Sequence, residues 1–324
     1  LSLEVTMYVF LFLITMVGLV SAADDCFYTA VDLSYRLSPF STNYYPNFLP
    51  FEITIELVNV ITDILFNEAK YIAGDEGGTK VEVPARFCDN GYKVGELCKD
   101  QLFLLPACVI DLTEKAAMDD NYQATVQDVE QWQAVFGPFP PRSIVIFDFG
   151  WSPRYPDVDR FFGRRGRLGT QLNHPGICPD LADYLGRHCN VYAVGTDAPD
   201  VDCGRNNELT TSPSQRILAS HGKYTVTQLQ LRRRRLPTVG AVVTVAPFYM
   251  AQATAAPARV FAEFCADPVP EVDCPVPPPK PLLIEHATPT VVAAPAPGSV
   301  ITPGTLNHIH QGPHGVNHPP HKIL

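Results

Sequence analysis

Two acids and two bases fall within eleven residues of this chain: Glu76, Lys80, Glu82 and Arg86. Lys80 and Glu82 are two positions apart, so in an extended segment both side chains project from the same face, with Glu76 and Arg86 flanking them. The quartet reads either as an internal ion-pair cluster or as ordinary solvated charges on a loop. Neither base suits metal-dependent chemistry. The Lys80 ammonium has no lone pair to give and cannot ligate a metal while charged. Arg86 stays protonated at any workable pH and cannot act as a general base. A second set is the nine cysteines, Cys26, Cys88, Cys98, Cys108, Cys178, Cys189, Cys203, Cys265 and Cys274. No C-x-x-C pair and no zinc-type Cys/His spacing occurs among them. By short separation alone, Cys88 with Cys98 and Cys178 with Cys189 are the candidate disulfides. The odd number leaves one thiol over, free or joined to another chain. A third set, His308, His310, His314, His318 and His321, could hold a transition metal, but its uneven spacing builds no defined site.

Whether cysteines pair depends on the compartment. Tyr8 to Ala23 is an uncharged apolar run behind Met7 that ends in Val20-Ser21-Ala22, a signal-peptide pattern with cleavage after Ala22. The run is short against the ~20 residues that span a bilayer; a signal anchor is the alternative. Residues 1–6 read as translated upstream sequence or as a cloning remnant. The expectation is a secreted, extracellular protein with no membrane span after cleavage, in which disulfides persist and, lacking any N-x-S/T, no N-glycan is carried. The formal charge of −10 (24 Lys+Arg against 34 Asp+Glu) argues against a nucleic-acid partner. The run Arg232 to Arg235 suggests a polyanion site, but it abuts Leu236-Pro237 at a predicted loop and reads rather as solvated charges.

Composition divides the chain into residues 1–22 (upstream residues and signal peptide), a globular part over 23–265, and a tail over 266–324 in which 14 of 59 residues are Pro. That proline density excludes continuous helix or central strand and predicts an extended, disordered Pro/His-rich segment. In the globular part, β-branched and aromatic runs predict strands at Ala30–Leu33, Phe51–Leu57, Ala107–Leu112, Ser143–Phe147, Val191–Val194, Tyr224–Leu229 and Ala241–Val245. Helical patterns cover Thr125–Phe136, Pro179–His188 and Ser214–Ala219. Strands outnumber interspersed helices, which predicts a single α/β domain.

The order of the motifs carries a resemblance. Val31-Asp32-Leu33-Ser34 is similar to an opening "DLS" strand, and Tyr45-Pro46 to the turn after it. Gly77-Gly78-Thr79, Pro84 and Phe87 fall in a "HGGTHxDxPxHF" box. Val145 to Trp151 resembles "VLIRTGW". His174-Pro175-Gly176 with Asp180 to Leu185 resembles "PGLS..AAEYL", Ala193 to Asp202 "AVGVDTPSID", and Pro257 to Ala262 the closing "PARVFA". In this order, over roughly residues 28–264, the chain resembles the cyclase family, metal-dependent hydrolases of the kynurenine formamidase and isatin hydrolase kind. The resemblance implies a compact domain with a mixed barrel-like β-sheet and flanking helices, the swivelling β/β/α fold, and a protein that is commonly dimeric.

The same resemblance implies Zn or Mn held by His and carboxylate ligands, with a metal-bound hydroxide as nucleophile. Laid onto this chain, the ligand positions hold Glu76, Lys80, Glu82, Gln215 and Thr227, and the catalytic His position holds Arg86. Six departures in six positions predict no metal cofactor and no catalytic residue. Three functions follow. The first is a secreted pseudoenzyme with a binding or structural extracellular role. The second is an active metal-dependent amidohydrolase of arylformamidase type in tryptophan catabolism, rebuilt on Glu76, Glu82 and His221 or His174. The third is a structural component of an extracellular assembly, a homodimer or disulfide-linked oligomer joined to an unknown extracellular partner.

Overall fold

The computed structural model describes residues 27–43, 49–58, 66–164, 171–205, 211–232 and 235–266. The apolar N-terminal run, Cys26, Cys274, Tyr45-Pro46 and the Pro/His-rich segment lie outside the described residues. Residues 1–270 and 271–324 are separate units, and every strand and helix below belongs to the first.

Twelve strands are described: β1 Phe27–Asp32, β2 Glu52–Val58, β3 Phe66–Ile72, β4 Lys80–Glu82, β5 Leu105–Asp111, β6 Gln123–Ala124, β7 Ser143–Asp148, β8 Gly176–Ile177, β9 Val191–Thr196, β10 Tyr224–Thr227, β11 Val242–Pro247 and β12 Ala255–Ala266. The α-helices are α1 Thr113–Met118, α2 Val126–Phe136, α3 Val158–Phe162, α4 Pro179–Arg187 and α5 Pro213–Ser220. The main sheet runs β1-β12-β11-β5-β7-β9-β10-β4, and β4 pairs back onto β12. Seven strands therefore close into a mixed barrel, which removes most of the open edges that an eight-strand sheet would present. β5, β7 and β9 lie parallel at its centre, and β10 continues that direction. β2 and β3 form a separate hairpin.

Strand β7 shows how the sequence builds two cores. All six of its residues are buried, as expected of a parallel strand covered on both faces. Ile144 and Ile146 point into the barrel with Val81, Val109, Ala193, Val226, Val243 and Val260. Val145 and Phe147 point outward and pack with Trp132, Leu181, Leu185 and Leu218 from α2, α4 and α5. Helix α2 begins where the Asp128 carboxylate reaches back to the Thr125 N–H at 2.7 Å, closing the first turn.

Several expected elements differ. The strand from Tyr224 stops at Thr227 because Gln228 takes φ +57, a left-handed conformation no strand contains. β3, β4, β6, β8, β12, α1 and α3 have no counterpart among the predicted elements. β12 is hidden by Pro257, which would break an ordinary central strand. It is accommodated at a changeover: Ala255–Pro257 pairs with β4, and Ala258 onward with β11.

The cysteine expectation is corrected. Cys88, Cys98, Cys178 and Cys189 are free thiols, and Cys265 is disulfide-bonded. Cys178 caps the start of α4 and Cys189 follows its end. At ~1.5 Å of rise per residue the intervening helix holds them more than ~10 Å apart, beyond the ~7 Å limit for a bridge. Cys88 and Cys98 sit in separate 3-10 turns, Cys88 closing the one at Pro84–Arg86 and Cys98 opening the one at Lys99–Gln101.

Candidate functional site

In β4, Val81 faces the barrel core, so the flanking Lys80 and Glu82 face outward. They do not reach water. Glu76, Lys80 and Glu82 are all buried, Lys80 completely. Gly78 at φ +67 takes a turn that suits glycine and folds Glu76 back over Lys80. Thr79 anchors the turn by donating from Oγ1 to the Gln228 carbonyl at 2.7 Å and accepting from the Tyr35 N–H at 2.9 Å.

The four charges form one network. Lys80 Nζ lies between two carboxylates, bonded to Glu76 Oε2 and 2.9 Å from Glu82 Oε2. Arg86, carried by the 3-10 turn that Pro84 begins, places Nε 2.9 Å from Glu82 Oε1, a second nitrogen on Glu76 Oε1, and a third 3.7 Å from Asp75. Each base thus bridges both acids. Of the two expectations for the quartet, the geometry is that of the ion-pair cluster rather than of solvated loop charges.

Position decides how each group titrates. Burial and the charge of Glu82 push the Glu76 carboxyl up to about 7. Burial would also raise Glu82, but Lys80 and Arg86 outweigh it and hold that carboxyl at about 2. Burial alone would lower the Lys80 ammonium; Glu76, Glu82 and Asp200 instead raise it above its ordinary range. Lys80 is therefore a permanent cation.

Gln215 and Thr227 arrive at the same place. Thr227 pairs directly with Lys80, and Thr225 with Glu82, across β10 and β4. Helix α5 packs on the Pro84–Arg86 turn, bringing Gln215 alongside. The backbone N–H groups of Ser214 and Gln215 donate to Asp202 at 2.8 and 3.0 Å. The Oγ1 of Thr225, the Oγ1 of Thr227 and the Nε2 of Gln215 are buried and make no hydrogen bond among the described residues.

The two histidines of the hydrolase alternative do not join this cluster. His221 Nε2 is 3.1 Å from Asp183 on α4. His174 is fully buried with Nδ1 3.2 Å from the Pro175 carbonyl.

Sequence reasoning missed Asp200 and Asp202, both buried beside the cluster. Burial and Glu82 raise the Asp200 carboxyl to about 8. Three aspartates within six residues after a buried strand, Asp197, Asp200 and Asp202, were the available signal. Asp197 has a structural task, accepting hydrogen bonds from the N–H groups of Phe149 and Ser152 at 3.0 Å each and from that of Trp151. A cavity of about 350 Å³, lined by Cys98, Tyr192 and Lys223 among others, includes none of the cluster residues.

A divalent metal does not fit these residues as they stand. The carboxylate oxygens that could bind it are taken by Lys80 and Arg86, and a permanent ammonium occupies the space between them. Among the described residues no three His, Cys, Asp or Glu side chains are arranged to hold an ion, and no helix is long and apolar enough to cross a membrane.

Comparison with known proteins agrees with this architecture. Isatin hydrolase of Roseibium aggregatum is 23% identical over 195 residues, 59% of this chain and 72% of that protein. Isatin hydrolase A of Ralstonia solanacearum superposes with a TM-score of 0.64 at 23% identity, covering 78% of this chain and 97% of the other. The isatin hydrolase A of Labrenzia aggregata bound to benzyl benzoate gives 0.63 at 23% identity, covering 78% and 100%. The Cyclase family model matches residues 31–203, more than half of the sequence. With the motifs in family order and the barrel closed through β4 and β12, the chain belongs to the cyclase family.

Proposed function

We propose that this protein is a cyclase-family pseudoenzyme, exported and used for binding or structure rather than hydrolysis. The observation that carries the reading is the Lys80 ammonium, buried between Glu76 and Glu82 and reinforced by Arg86. Hydrolysis through a metal-bound hydroxide needs neutral imidazoles or free carboxylates around an ion. Here every acid of the box is neutralised by a base of the same chain. A dication placed ~4 Å from one such base meets a repulsion of roughly 8 kcal/mol at an effective dielectric of ~20, twice the ~4 kcal/mol between unit charges. Export is supported by the apolar run ending at Ala22, and a structural role by the exposed thiols Cys98 and Cys189.

The test is metal content and turnover of purified protein in which His308, His310, His314, His318 and His321 are alanine, so that any metal counted belongs to the barrel. The expected result is no stoichiometric zinc or manganese, and no hydrolysis of N-formylkynurenine or isatin above buffer. The competing reading, an amidohydrolase like the named relatives, requires one equivalent of metal that is lost on Glu82→Ala together with activity. That pair of results would reverse the assignment.

A further inference from the structure

We propose that the cavity beside Lys223 captures a small amino-acid thiol, held as a mixed disulfide on Cys98 with its carboxylate on Lys223 and its ammonium on Asp100. The site lies apart from the charge cluster and does not depend on how that cluster is read.

Its place follows from β10. Thr227, at one end of that strand, pairs with Lys80. Lys223 precedes the other end, ~13 Å of strand away at ~3.3 Å per residue. Around Lys223, the turn opened by Cys98, the start of β9 at Val191 and Tyr192, and Gly222 line a cavity of about 350 Å³. At ~30 Å³ per water that volume equals roughly a dozen waters, space enough for an amino acid. Gly222 takes φ +70, and a Cβ on it would meet nothing within 4 Å. This wall is open rather than packed.

Three side chains define the ligand. Lys223 is only 9% exposed. Its Nζ donates to the Val191 carbonyl at 2.7 Å and the His188 carbonyl at 3.0 Å, which leaves the third N–H of the ammonium without an acceptor among the described residues. No carboxylate pairs with it there, and burial pulls the ammonium below the ordinary lysine range. A buried cation lacking a counter-charge is costly; a ligand carboxylate would supply one through a charge-assisted hydrogen bond. Asp100, exposed on the same lining, would repel a simple anion. A zwitterion satisfies both. Cys98 adds an exposed free thiol two residues from Asp100, so the matching ligand is an α-amino acid that carries sulfur.

The step is thiol–disulfide exchange, and its co-reactant is a low-molecular-weight disulfide such as cystine. The Cys98 thiolate attacks one sulfur of the disulfide and forms a new S–S bond to that half. The original S–S bond breaks, its electron pair leaves with the other half as a thiolate, and that thiolate takes up the proton Cys98 gave away. Cys98 is oxidised and the departing half reduced.

The experiment incubates the full-length protein near neutral pH, after brief mild reduction and desalting, with cystine or with the uncharged bis(2-hydroxyethyl) disulfide. Adducts are located by peptide mass spectrometry, and the readout is the ratio of the two rates at Cys98. Taking the ratio cancels any change in the thiol itself. In the native protein cystine should modify Cys98 before Cys88 or Cys189, and Lys223→Met should lower the ratio about tenfold. Asp100→Asn, a substitution of an exposed side chain, should lower it in the same direction and decides the matter if Lys223→Met is not recovered folded. The rate with the uncharged disulfide should stay the same in both variants. A ratio equal in the native protein and the variants overturns the proposal, and so does a cystine adduct that forms first on Cys88 or Cys189.

Discussion

Burial, more than residue type, sets the chemistry of single side chains in this barrel, and His174 isolates the effect. It is fully enclosed, and burial lowers its imidazole to about 4, against about 6.5 for an exposed histidine. The unfolded chain therefore takes up a proton on this residue below pH ~6.5, whereas the folded chain resists until about pH 4. Because the folded value is the depressed one, the stabilisation is complete above pH ~6.5 and is lost as pH falls toward 4. Over that window it amounts to about 3 kcal/mol. Urea unfolding at pH 7.5 and pH 4 should show the native protein losing about that much more stability than His174→Gln, which has no proton to gain. Equal losses in the two proteins would place the acid sensitivity elsewhere. The ligand-position residues teach the complementary lesson. That Lys80 and Arg86 cannot serve a metal follows from their chemical nature, and the sequence suffices for it. That they occupy the carboxylates instead depends on the Gly78 turn and on Pro84, which only the fold displays.

Elements were legible where one periodicity ran unbroken and illegible where two partners share a strand. β5, β7 and β9 are built on apolar stretches bounded by polar residues and stand where the sequence places them. β4 is three residues with a charge at each end, a pattern that reads as a loop, because a buried ion-pair cluster looks polar in one dimension. β12 contains Pro257 at its changeover and Arg259 on its exposed side. Helix α5 has a cap of the same hidden kind. Its N-cap residue Ser212 makes no side-chain hydrogen bond to the helix; the carboxylate of Asp202 accepts from Ser214 and Gln215 instead. The acid near a helix N-terminus both satisfies free N–H groups and complements the dipole. Asp202→Ala should cost about 1–2 kcal/mol in urea unfolding. Asp202→Asn, which keeps an acceptor, should cost less. An alanine variant as stable as the native chain would show that α5 is held by packing alone.

At the scale of the whole molecule, one strand closes the fold, and it comes last among the described elements. β12 pairs through its first residues with β4, through its middle with β11 and through its end with β1. Phe27 meets Ala266 across the register, so closure joins residues more than two hundred positions apart, and none of these ladders is complete until β12 is in place. Contacts of such separation carry a loop-closure cost that only the finished barrel offsets. The unit boundary falls after Pro270, beyond β12. A chain ending at Pro270 should therefore melt within about 2 °C of the full-length protein, the range expected when no packed contact is lost. A chain ending at Thr254 removes β12 whole, strips a partner from β4, β11 and β1 together, and opens the wall that keeps Lys80 and Glu82 from water. It should show no cooperative melting transition by circular dichroism. Cooperative melting of the shorter chain would mean that the remaining strands form a stable open sheet and that closure is dispensable. Failure of the longer chain to fold would mean that residues beyond Pro270 contribute to the barrel after all.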